Sequence, residues 1–142
     1  MRFTLGVRTT SGTSGTAAWE IRTGPTPGRA TLIEIGFSLV AATASVIGLG
    51  RPSAIGVTPT SPVDFLPEDP NDVLASGVIQ SALAWATGPT APASFFPRMS
   101  FPATIGAGVI LMPKIVIPVS SSIVLWNIQT NSVLDAYAVI EI

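Results

Sequence analysis

The sequence predicts an all-β fold, an antiparallel β-sandwich of jelly-roll-like type with about eight strands and one long ordered loop, 51–77. Three observations lead there. Apolar and polar residues alternate along most segments, the period of a half-buried strand. Thirteen glycines and thirteen prolines interrupt the chain at short intervals, and no stretch keeps a helical period. The length, 142 residues, suits a single domain spanning 1–142 that buries a continuous core.

The elements follow in order. In Arg2–Arg8, Phe3, Leu5 and Val7 share one face, and Arg2, Thr4 and Arg8 the other. A TTSGTSG turn follows. Ala17–Thr23 then sets Ala17, Trp19 and Ile21 opposite Glu20 and Arg22. GPTPG turns the chain into Thr31–Val40, which aligns Ile33, Ile35, Phe37 and Leu39. Ala41–Leu49, rich in small residues, reads as a bent or bulged strand. Val78–Thr87 places Ile79, Leu83 and Trp85 on one side, and Met99–Thr104 and Val109–Met112 are shorter strands around Gly106 and Gly108. Ile115–Val119 and Ile123–Gln129 are rich in β-branched residues. Leu134–Ile142 aligns Leu134, Ala136, Ala138, Ile140 and Ile142 against Asp135, Tyr137 and Glu141.

Two connections are long. Residues 51–77 hold five prolines, which argue against regular structure through most of the segment. They also hold Ile55, Val57, Val63, Phe65 and Leu66, too much apolar surface for a free tether, so the loop is expected to be ordered and packed, against a neighbouring subunit as one option. A short helix is expected over Pro70–Ala75, capped by Asp69. The second connection, Thr87–Pro97, carries Phe95 and Phe96 side by side.

Composition narrows the function. Hydrophobic residues make up 47% of the chain and charged residues 11%, where an ordinary soluble domain carries roughly a quarter charged. Apolar surface is therefore expected to be covered by a partner, most simply another copy. The stretches Ile35–Gly50 and Ile115–Leu134 are too short or too polar for the ~20 apolar residues of a spanning helix. The opening MRFTLGVRTT alternates instead of forming an apolar leader, so a soluble product of a cytoplasm is expected, with no membrane partner.

Without cysteine or histidine there is no thiolate chemistry, no Cys-ligated zinc and no imidazole base. Net charge −1, with six arginines and one lysine scattered along the chain, offers no footprint for nucleic acid. The acidic run Glu68–Asp72 lacks the spacing of a calcium loop and reads as a solvated capping turn. Glu20, Glu34, Asp135 and Glu141 fall on polar strand faces. They read as solvated, or paired with an arginine such as Arg22, in preference to a glycosidase carboxylate pair. Lys114 has no companion motif for a Ser–Lys pair. No catalytic residue, cofactor or metal ligand is assigned, and the chain reads as a non-enzyme.

Aromatic residues suggest binding. Trp19 and Trp85 lie on apolar faces and read as core, whereas Trp126 lies on a strand apolar on both sides, of the kind that puts one face on an interface. Exposed together, Trp19, Trp85, Trp126 and Tyr137 would form a sugar-stacking patch, the basis of an alternative reading as a carbohydrate- or receptor-binding module. Phe95, Phe96 and Arg98 read equally as interface anchors or as the closure of one sandwich end. The contact candidates are Ile55, Val57, Phe65, Leu66, Phe95, Phe96, Arg98 and Trp126.

Several phrases together carry a resemblance: Gly-Leu-Gly-Arg-Pro at 48–52, Gly-Val-Thr-Pro-Thr at 56–60, Phe-Phe-Pro-Arg at 95–98, Pro-Ala-Thr-Ile-Gly-Ala-Gly at 102–108 and Val-Leu-Trp-Asn at 124–127. With these, the chain from about Arg2 to Ile142 resembles small virion proteins encoded among tailed-phage structural genes. The resemblance implies a jelly-roll capsid decoration (cement) protein, located in the virion after synthesis in the host cytoplasm. It further implies self-association, as a trimer, and the major capsid protein as partner. The motifs are turn and strand phrases and carry no active-site residue.

Overall fold

The computed structural model describes residues 1–10, 15–25, 29–74, 76–130 and 132–142. Parts of both early turns and Ala75 lie outside the described residues. Among the described residues the chain is all-β, with fourteen strands and no helix. They are β1 (Arg2–Arg8), β2 (Thr16–Thr23), β3 (Ala30–Leu39), β4 (Ser45–Gly50), β5 (Val57–Pro59), β6 (Val63–Asp64) and β7 (Leu66–Pro67), then β8 (Ile79–Ala82), β9 (Trp85–Thr87), β10 (Arg98–Phe101), β11 (Gly108–Leu111), β12 (Ile115–Ile117), β13 (Ser122–Gln129) and β14 (Leu134–Glu141).

These strands make two six-stranded sheets and one two-stranded ribbon, β5–β9. The first sheet runs β11-β3-β14-β1-β7, with β12 beside β11 on the same edge of β3. The second runs β10-β4-β13-β2-β8-β6. All pairings are antiparallel. Alternation sends Phe3, Leu5, Ile35, Phe37, Ala138 and Ile140 from the first sheet against Trp19, Ile21, Ile47, Leu49, Ile123 and Leu125 from the second, and these belong to one buried cluster. At about 25 cal/mol per Å² of apolar area, that interior is the main source of stability.

At both side edges of the sandwich the chain crosses from one sheet to the other. On one flank, β6 pairs with β8 in the second sheet and β7 with β1 in the first, and Phe65 between them is buried. Its ring stacks on Trp19, with centroids 6.3 Å apart and planes 7° from parallel. On the other flank the chain passes from β10 to β11, and Phe101 meets Phe37 edge to face at 5.4 Å.

Six expectations need correction, the first being the strand count, which is fourteen among the described residues where about eight were expected. The described residues of the 51–77 connection are packed, but they contribute β5, β6 and β7, because prolines are tolerated in short edge strands whose amides need no partner. The expected helix over Pro70–Ala75 is absent from the described residues; Asp69 instead accepts hydrogen bonds from the Asn71 amide at 2.9 Å and side chain at 3.0 Å, closing a turn. A bulge in the β14–β3 pairing between Val139 and Ile140 skips Ile33, so Leu32 and not Ile33 is fully buried beside Ile35. The expected strand Val78–Thr87 breaks after Ala82, and Ala41–Leu49 starts as strand only at Ser45.

Candidate interaction surfaces

Strand β13 is buried on both faces, and the covering comes from the chain itself. Residues 51–59, just after β4, and 85–96, just before β10, fold back over the outer face of the second sheet. Val124 and Trp126 point into that second layer, 0% and 1% exposed, and the Trp126 Nε1–H donates to the Gly50 carbonyl at 3.2 Å. Phe95 lies over Gly48 and Gly50, where an added Cβ would sit 3.1 Å from its ring, and at Gly48 only 2.6 Å from Ile128.

Glu20 anchors this roof. It is fully buried, and its carboxylate accepts four hydrogen bonds: from Ser122 Oγ at 2.8 Å, Trp85 Nε1 at 3.0 Å, and both Gly56 N and Arg22 Nη1 at 3.1 Å. Arg22 Nη1 also donates to the Gly56 carbonyl at 3.1 Å. A buried carboxylate is tolerated only with such full satisfaction. Gly56 is required because a Cβ there would run into the Trp85 ring and the Glu20 carboxylate.

The predicted contact residues therefore separate. Phe65 and Trp126 are buried within the protomer and present no surface to a partner. Phe95 is half-buried in the roof. Ile55, Val57, Leu66 and Phe96 are exposed, as is Arg98 at the start of β10. Ile55 and Val57 lie on the roof, Leu66 on the β6–β7 flank, and Phe96 and Arg98 on the β10 flank, so they form no single patch. The four aromatics do not form one platform either. Trp19 is in the core, Trp126 under the roof, Trp85 half-buried in the roof, and Tyr137 on the opposite sheet. Trp85 leaves the core because the chain turns at Leu83–Ala84.

Residues missed from sequence lie on the same edges. Ile110 and Met112 are exposed at 62% and 71% and Val116 at 36%, all on β11, β12 or between them. Lys114 sits between these strands at φ 51°, the kink that lets both pair with β3. Arg51 bridges the flank: its Nη2 donates to the Val116 carbonyl at 2.6 Å, and its guanidinium lies 5.3 Å from the Phe96 ring centre. The alternation of Val109–Met112 hinted at Ile110 and Met112 sharing a face, but an edge position is set by pairing partners distant in sequence.

Charge is segregated. Three arginines are paired, Arg2 with Glu141, Arg8 with Asp135 and Arg22 with Glu20. The cationic side chains without an ion pair among the described residues are Arg51, Arg98 and Lys114 on the β10–β12 flank, and Arg29 beside it, where Ala30 faces Ile117 of β12. Of the remaining acids, Asp64, Glu68, Asp69 and Asp72 lie on the β6–β7 flank or the turn leaving it, and Glu34 lies on the first sheet, bonded by Tyr137. Glu68 accepts a hydrogen bond from Thr4 Oγ1 at 2.6 Å. Burial works to raise the pKa of Asp64, but hydrogen bonds from Gln80, the Gly77 amide and Ser76 outweigh it and hold the carboxyl below its usual range.

Compared with family models, with curated proteins and with solved structures, the chain matches none. Surface geometry is thus the guide to function. Besides the flanks it offers a groove of about 620 Å³ on the outer face of the first sheet, lined by Gly36, Ser38, Gly108, Ile110, Asp135 and Tyr137. The Tyr137 ring packs against Gly36, where a Cβ would clash with it. Burial, then the bond to Glu34, raises the tyrosine pKa.

Proposed function

We propose that this chain is a non-enzymatic virion structural protein, a jelly-roll module that self-associates and binds a capsid lattice as a decoration protein. The observation that carries the reading is the set of twelve large apolar side chains left 36% or more exposed among the described residues, on a surface with few charges. An apolar, charge-poor surface of this kind favours protein–protein contact. The order in which the chain visits its sheets supports the jelly-roll part: β1, β3, β11 and β14 fall in one sheet and β2, β4, β10 and β13 in the other, the first and last strands pairing side by side. Attachment to the major capsid protein and a trimeric state come from the phage resemblance. Sedimentation at micromolar concentration, with co-sedimentation on particles of the phage that carries the gene, tests the reading. An oligomer that binds those particles is expected; a lone protomer absent from them overturns it.

The Tyr137 groove favours a second reading, sugar binding by a tail or fibre module, since a ring beside the Asp135 carboxylate and the Ser38 hydroxyl can stack on and hydrogen-bond a pyranose. Glycan-array binding lost in Tyr137→Ala would favour it over decoration.

A further inference from the structure

We propose that copies of this chain associate head to tail, the acidic β6–β7 flank of one copy seating on the cationic β10–β12 flank of the next. The inference rests on the self-association reading and adds the surfaces and the symmetry class of the contact.

Its first ground is where the unpaired charges lie. The sheet orders put β6 and β7 at one side of the sandwich and β10, β11 and β12 at the other. Among the described residues, the cationic side chains without an ion pair gather at the second side, and four of the five acids without one at the first. In a chain with 11% charged residues this sorting is the dominant electrostatic feature of the surface. Arg98 and Lys114 sit at matching height along the flank, between the Phe101–Phe37 contact at one end and the Arg51–Val116 hydrogen bond at the other.

The second ground is that both flanks are apolar sheet edges. Val63 and Leu66 are 51% and 62% exposed on the acidic flank; Phe96 and Ile110 are 53% and 62% exposed on the cationic flank. Open edges with apolar side chains are surfaces that proteins cover.

The symmetry follows from the signs. A two-fold contact would press one cationic flank against its own copy, or one acidic flank against its own copy, and like charges across an interface are repelled. Opposite flanks attract, so each copy uses both and the contact is heterologous. Such contacts close into a ring when the rotation per copy divides a full turn.

The test is sedimentation velocity on the wild-type chain, on Arg98→Glu/Lys114→Glu, on Glu68→Lys/Asp72→Lys, and on an equimolar mixture of the two variants. The wild-type oligomer should loosen between about 0.05 and about 0.5 M salt. Each variant alone sets one charged flank against one whose charge is cancelled, since Arg51 and Arg29 offset the two new acids and Asp64 and Asp69 the two new lysines, and should associate on the order of tenfold or more weakly. Mixed, the intact acidic flank of one variant meets the intact cationic flank of the other, and association between the two variants should recover. Either variant keeping wild-type mass, or a mixture that stays dissociated, overturns the head-to-tail contact. A wild-type chain that is a protomer at low salt removes the self-association reading itself, whereas an oligomer indifferent to both variants removes this inference alone. Thermal melts establish that the variants fold. Should a reversal prevent folding, the neutral pairs Arg98→Gln/Lys114→Gln and Glu68→Gln/Asp72→Asn carry the same test, each weakening association by less.

Discussion

Glu20 holds the second layer of the molecule to the first with four hydrogen bonds accepted by one buried carboxylate. Truncating it strands Arg22, the Trp85 indole N–H and the Gly56 amide together, so Glu20→Ala should cost about 3–5 kcal/mol in urea unfolding. Amide exchange at Gly56 should accelerate in the same variant. Trp126→Phe removes only the bond to the Gly50 carbonyl and a little volume, and should cost about 0.5–1.5 kcal/mol for the hydrogen bond. Trp19 makes the contrast, since its buried Nε1 has no partner, and Trp19→Phe loses no hydrogen bond. Alternation alone placed Glu20 opposite Trp19 and Ile21 and beside Arg22, all of which holds. Its burial was not legible, because the cover arrives from Gly56 and Trp85, dozens of residues away. Trp126 was readable as belonging to a strand with two apolar faces for the same reason, while the identity of the covering surface was not.

The β6–Phe65–β7 crossing is the element that seals one side of the sandwich, and it hangs on two contacts, the Phe65 stack on Trp19 and the Asp64 hydrogen bonds to Ser76, Gly77 and Gln80. Phe65→Ala should lower stability by about 3–5 kcal/mol, read from urea midpoints. Asp64 gives the crossing a pH dependence. Its folded pKa lies below its unfolded one, so its contribution is complete above the ordinary carboxylate range and fades as pH falls through about 4. Asp135, held down chiefly by its bond from Arg8, acts in the same direction. Melting temperature should therefore fall between about pH 5 and pH 3, and Asp64→Asn should flatten that fall. The sign reverses for Tyr137. Its raised pKa protects the fold up to the ordinary tyrosine range, and that protection is lost as pH rises beyond it. Strands β1, β2 and β14 were readable because alternation persists over seven or eight residues, and β13 because β-branched residues crowd it on both faces. Strands β6 and β7 have two residues each, too few to carry a period. Ile33 was misplaced because a bulge shifts the inward set by one residue without any mark in local composition.

Across the whole molecule, the scarcity of charge has two separate causes. One is internal: the roof over the second sheet buries Val124, Trp126 and Ala82 on a face that a plain sandwich leaves to water. The other is external, the apolar side chains still exposed along both edges. Fold class and the longer strands could be read from the sequence; the short strands and which edges stay open depend on pairings between segments far apart in the chain. A last consequence concerns time. Strand β1 has no partner closer in sequence than β7, and its full-length partner is β14, at the far end of the chain. During synthesis, Arg2–Arg8 must wait, largely unzipped, until nearly all remaining residues have emerged. Refolding should accordingly take milliseconds to seconds, as stopped-flow tryptophan fluorescence can measure. Arginines at both ends of that waiting segment and a glycine in its middle are the features that discourage it from pairing with the wrong neighbour meanwhile.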